Sequence, residues 1–145
     1  IGFIKIFFPG SKIIYCNRNP KDLTFSLYKN VFGSPNMNWT YDENNISSYY
    51  NNHLDLMNFW NEKIPNYIYK ANNEKIIDNP ENEVKNLIKF LELPWDKKCL
   101  TPNKFNKSAI KTITNVNARN PINNLSVNSS ANYEKYLSRM YSLLN

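Results

Sequence analysis

The spacing of apolar positions changes character several times along this chain. Phe3 to Phe8 is an apolar stretch broken by Lys5 and closed by Pro9-Gly10, which predicts the end of a helix over residues 1 to 8. Lys12 to Cys16 follows as a short, almost continuously apolar, β-branched run. That is the pattern of a buried central parallel strand with helices on either side. At Asn19-Pro20-Lys21-Asp22 the period becomes helical, and three separate causes start the helix: Asn19 caps, Pro20 suits the first position, and Asp22 places a carboxylate in the first turn. Leu23, Leu27, Asn30 and Val31 continue that period up to Gly33-Ser34-Pro35.

Asn36 to Asp42 reads as a loop. From Asp42 to about Lys63 the apolar residues Ile46, Tyr49, Tyr50, His53, Leu54, Met57 and Trp60 recur at helical spacing, predicting a long amphipathic helix that Pro65 ends. Tyr67-Ile68-Tyr69 predicts a second short strand. Asn79-Pro80-Glu81 opens another helix, with Val84, Leu87, Ile88 and Leu91 on its apolar face and Leu93-Pro94-Trp95 after it. Residues 98 to 128 are polar and aperiodic, a long loop, and a last helix is expected from about Asn132. Strand, helix, helix, strand, helix is the order of an α/β domain with a parallel sheet.

Composition narrows what such a domain does. The chain has 145 residues, 41% of them hydrophobic and 14% aromatic, enough for one core. Its net charge of +6 favours an anionic partner, but the 18 Lys and Arg are scattered. Without a basic block, a nucleic-acid arm is disfavoured and a small anion stays in play. Two cysteines and one histidine supply neither a disulfide framework nor a metal cluster. No stretch approaches the ~20 apolar residues that span a bilayer. The expectation is a soluble, cytoplasmic chain. It opens at Ile1 on an apolar stretch, which reads as the middle of a fold.

The candidate chemistry sits at the strand-to-helix corner. Free N–H groups at a helix start favour phosphate or sulfate, and Arg18 just before the cap adds a forked, charge-assisted donor. Ser26 shares a helical face with Asp22. The same residues also fit a plain helix cap and a serine bonded back to its own helix. His53 and Trp39 read as packing groups, Cys16 as an inert buried group, and Trp60 and Trp95 as core.

A resemblance favours the anion. KIIYCNRNPKDLTFSLYK, residues 12 to 29, resembles the 3′-phosphate-binding segment of sulfotransferases that use 3′-phosphoadenosine 5′-phosphosulfate (PAPS). FLELPWDKKCL, residues 90 to 100, is similar to the Leu-Pro-Trp-Asp hinge of bacterial tetratricopeptide-linked members, relatives of tyrosylprotein sulfotransferases. KTITNVNARNPINNLSVNSSANYEKYL, residues 111 to 137, resembles their late loop over the nucleotide.

The resemblance implies an incomplete P-loop-like three-layer α/β fold with a short parallel sheet flanked by helices. Residues 1–145 would be the C-terminal part of one sulfotransferase domain, with tetratricopeptide repeats as a candidate N-terminal partner. It further implies PAPS as co-substrate without a metal, and sulfuryl transfer to a hydroxyl or amine of a sugar, peptide or small alcohol. Arg18 and Ser26 would hold the 3′-phosphate, and Thr114 would touch the nucleotide. The phosphosulfate loop and catalytic base have no counterpart in these residues, so this polypeptide alone is not expected to turn over.

Departures from the family are Asn73-Glu74-Lys75 for Tyr-Glu-Asp, Asn128 for Gly, and Ser129-Ser130 for a cation followed by Trp. They keep open a non-catalytic nucleotide-binding or scaffolding role.

Overall fold

The computed structural model of the chain describes residues 1–105 and 120–145. Among the described residues the chain forms seven α-helices and two strands: α1 (Gly2–Phe7), β1 (Ile13–Asn17), α2 (Pro20–Lys29), α3 (Glu43–Lys63), β2 (Ile68–Asn72), α4 (Asn73–Asp78), α5 (Pro80–Phe90), α6 (Pro102–Phe105) and α7 (Ser138–Ser142). The chain is α/β. β1 and β2 pair in parallel, from Ile13 beside Ile68 to Asn17 beside Asn72.

Helices flank both faces of this sheet. Tyr15 of β1 meets His53 of α3 at a ring separation of 5.4 Å, and Tyr69 of β2 meets Phe90 of α5 at 5.1 Å. Those two tyrosines point to opposite faces, because Tyr69 pairs with Ile14, the neighbour of Tyr15, and side chains alternate along a strand.

Asparagine, abundant along the chain, does local work here. Asn19 caps α2, Asn72 caps α4 and Asn79 caps α5, each accepting a backbone N–H through its side chain, while Asp42 does the same for α3. α4 went unread in the sequence because Asn73-Glu74-Lys75 gives a single helical turn no apolar period of its own.

The core lies beside the sheet, not on it. Phe25 of α2, Ile46 of α3, and Leu137, Met140 and Tyr141 around α7 form one buried cluster, with Leu27, Trp39 and Leu144 packed against it. His53 and Trp39 are packing groups, as expected; Trp39 stacks on Tyr49 at 4.2 Å.

Several expectations fail, each for an identifiable reason. β1 is not buried throughout: Ile14 and Cys16 are exposed while their neighbours are half-buried, because α5 covers the face of β2 and leaves β1 open there. Cys16 is therefore an exposed thiol, not a buried one. Trp95 lies 39% exposed, past the end of α5, with Lys85 over its ring, so it is not core.

The segment 36–42 is largely a 3-10 helix, Pro35–Tyr41, and the loop after residue 97 begins with helical turns at Lys97–Leu100 and Pro102–Phe105. The last helix is broken into a 3-10 turn, Ala131–Tyr133, and the short α7, whose start at Leu137 has no side-chain cap. No helix among the described residues is long and apolar enough to cross a membrane.

Candidate anion site at the β1–α2 corner

The corner is rigid because its backbone groups are accounted for. The Asn19 carboxamide accepts from the N–H of Lys21 at 2.9 Å and of Asp22 at 3.3 Å. The Asn19 N–H itself donates to Glu74 Oε1 of α4 at 2.8 Å. Leu23 N–H bonds the Asn19 carbonyl at 2.9 Å, and Pro20 has no N–H to offer. The start of α2 thus has no idle N–H donor, against the sequence expectation. Its dipole still favours a negative charge nearby, but direct contact with an anion falls to side chains.

Two side chains from this corner fasten the same late segment, residues 126–130, which we call the strap. Arg18 donates from Nη2 to the Ser126 carbonyl at 2.6 Å, while its Nε is shut off from solvent with no hydrogen-bond partner among the described residues. Asp22, 1% exposed, accepts from the Asn128 N–H at 2.7 Å and the Ser130 N–H at 2.9 Å, with the Ser129 hydroxyl at 3.4 Å. Burial pushes the Asp22 carboxyl upward, but hydrogen bonds from Ser130 and Asn128 and the Arg18 charge outweigh it. They hold the group below the usual aspartate value.

Asn128 has φ +56°, a left-handed conformation that glycine adopts freely and asparagine tolerates better than most residues. That conformation explains why asparagine can stand at this position. Just beyond the strap, Lys21 forms an ion pair with Glu134.

Two hollows lie nearby, one walled in part by the strap and the other by the corner itself. The larger, about 510 Å³, has apolar walls from Ile76, Ile77 and Ile122, with Lys29, Asn73, Ser126 and Ser129 as polar lining. The second, about 490 Å³, lies at the carboxyl ends of β1 and β2, where open α/β sheets bind ligands. Arg18, Lys70, Lys75 and Glu74 are among its charged lining residues.

Of the residues expected at the site, Arg18 lines the second hollow and reaches the strap that lines the first. Ser26 lies one helical turn beyond Asp22, on the α2 face leading toward Lys29, and lines neither hollow. Its hydroxyl is 3.5 Å from the Asn30 amide nitrogen, which donates to the Ser26 carbonyl at 2.6 Å. Thr114 lies outside the described residues. Sequence reasoning missed the grip of Asp22 on the strap, since its place in the first turn of α2 already accounted for it. Lys29 and Lys70 were missed for want of a local pattern that singles out one lysine among many.

Comparison with known proteins adds two findings. A profile described as the sulfotransferase family matches residues 1–97, a stretch that holds Arg18 and Ser26 but ends before the strap. An uncharacterized protein of Aquifex aeolicus (strain VF5) is 31% identical over 146 residues, covering 99% of this chain. The chain spans 19% of that relative's length.

Proposed function

Because this chain belongs to the sulfotransferase family, we propose that it carries the 3′-phosphate-binding part of a PAPS site. The observation that carries this reading is Arg18. It is a guanidinium on the strand-to-helix corner, with a buried Nε that has no partner among the described residues; it lines the hollow at the carboxyl ends of the strands and bonds the strap that walls the apolar hollow next to it. Apolar walls suit a planar base. Arg18 and Lys29 suit its phosphate, and a doubly charged phosphate near a guanidinium and the positive end of α2 is favourably placed. Ser26 as second phosphate ligand and Thr114 as a third nucleotide contact enter this reading from the resemblance alone, since Ser26 lines neither hollow and Thr114 lies outside the described residues.

Residues 1–145 then form the C-terminal part of a single domain with a P-loop-like sheet, of the tetratricopeptide-linked, tyrosylprotein-like kind. The longer protein transfers a sulfuryl group from PAPS to a hydroxyl or amine acceptor. Another stretch of that protein supplies the base that deprotonates the acceptor and the donors that stabilise the transferred charge.

A second reading, a nucleotide-binding fold without transferase activity, is favoured by one observation. Arg18 already spends a donor on the Ser126 carbonyl, and Ser129 and Ser130 beside it carry no charge.

Calorimetric titration of adenosine 3′,5′-bisphosphate into the protein tests both. Saturable binding is expected. Its absence overturns both readings, while binding without sulfuryl transfer by the longer protein leaves the second.

A further inference from the structure

We propose that Asp22 is a positioning residue: its carboxylate sets where the strap lies and thereby sets the shape of the larger hollow. This deepens the nucleotide-site reading above and rests on it.

Both oxygens of Asp22 are used. Oδ2 accepts from Asn128 N–H, and Oδ1 from Ser130 N–H and the Ser129 hydroxyl. The strap is shaped to receive such a group. The left-handed Asn128 and, two residues on, Ser130 with φ −74° both aim their N–H groups at this one carboxylate.

At 1% exposure, water does not compete for these bonds. Asparagine at this position keeps the size of the side chain but offers an amide NH2 where an oxygen must accept. Arg18 binds the strap again at the Ser126 carbonyl, so one corner grips it at both ends.

Ser126 and Ser129, which line the hollow facing Lys29 and Asn73, belong to this fastened segment. A shift of the strap is therefore a shift of the hollow's wall. A carboxylate that merely stapled α2 to the chain's end would stabilise the fold without touching ligand discrimination.

The experiment compares wild type with Asp22→Asn and Asp22→Glu, the second keeping the charge but displacing it by one methylene from the strap N–H groups. One readout is hydrogen exchange at the Ser130 amide. The other is the ratio of affinity for adenosine 3′,5′-bisphosphate over adenosine 5′-monophosphate, alongside Tm. Both variants are expected to speed Ser130 exchange and to lower the affinity ratio by about tenfold, the scale of one hydrogen bond to a charged group.

Unchanged Ser130 protection in Asp22→Asn overturns the proposal, as does a lower Tm with an unchanged ratio in both variants. If wild type binds neither nucleotide, the reading of the hollow fails. Ser130 exchange alone then decides whether Asp22 sets the strap.

Discussion

The two sides of this molecule are finished to different degrees. Where α2, α3 and α7 meet, Ile46 and Met140 are fully buried, and the buried threonine and serine hydroxyls Thr24, Thr40 and Ser47 have partners, while the Tyr141 hydroxyl has none among the described residues. Thr24 donates to the Pro20 carbonyl at 2.8 Å, Thr40 to Met37 at 2.8 Å, and Ser47 to both Glu43 and Met140 carbonyls at 2.9 and 3.1 Å. On the other side, α1 presents Phe3, Ile6 and Phe7 to solvent, Phe8 just after it is exposed too, and β1 presents Ile14. Only its inner edge is close-packed, where a Cβ on Gly2 would come within 2.6 Å of the Trp60 ring. The contrast teaches that cohesion resides in the helical cluster and that the candidate anion site is built from that side. The strap, Asp22 and α2 all belong to it, while Arg18 at the end of β1 and Asn73, Ile76 and Ile77 of α4 arrive from the sheet side.

The strongest way to break this comparison is to hollow out the cluster. Ile46→Ala is expected to cost about 2–5 kcal/mol in urea unfolding, since it removes methylenes from a fully buried site. A loss near that of a surface substitution would move the centre of stability elsewhere. Asp22→Ala comes next, at about 1–3 kcal/mol for each N–H it leaves buried and unpaired.

Arg18→Ala sharpens the functional half. It is expected to weaken adenosine 3′,5′-bisphosphate binding by about 1.5–3 kcal/mol, and an unchanged affinity removes its assigned role.

Acid acts on the same side of the molecule. Because Asp22 titrates lower folded than unfolded, its contribution is complete above the ordinary aspartate value and is lost as pH falls through the depressed one. Stability is therefore expected to drop below about pH 4, and a wild-type-minus-Asp22→Asn difference curve should carry that drop. No difference between the two curves in that range would show that Asp22 is not the group responsible.

Phe7→Ser on α1 is the smallest effect, within about 0.5 kcal/mol, given 68% exposure. A large loss in its unfolding curve would mean that α1 is held more firmly than its exposure indicates.

Much of this was legible locally. Asn19-Pro20-Lys21-Asp22 named a helix start with its cap, Asp42 and Asn79 began α3 and α5 where their spacing placed them, and the order of elements gave a parallel α/β sheet. For the candidate site, a motif around Arg18 pointed to the corner, and the family profile covers that stretch of chain. What misled was context. Periodicity measures the tendency to be covered, not the presence of a cover, so Ile14, Cys16 and Trp95 read as interior and lie exposed.

Sequence alone determined the capped corner, because an Asn cap, a Pro with fixed φ and an acidic first turn act over four neighbouring residues and need nothing distant. Tertiary structure decided what the corner does. Asp22 and Ser130 are brought together across 108 positions, and only that meeting turns a first-turn carboxylate into the clamp on the strap. It also consumed the N–H groups that the local pattern had left for an anion, because Asn19 turned its side chain onto its own helix and Glu74 came in from α4. Hydrogen-bond donors are claimed by whichever acceptor folding brings within reach, and spacing along the chain does not record that competition.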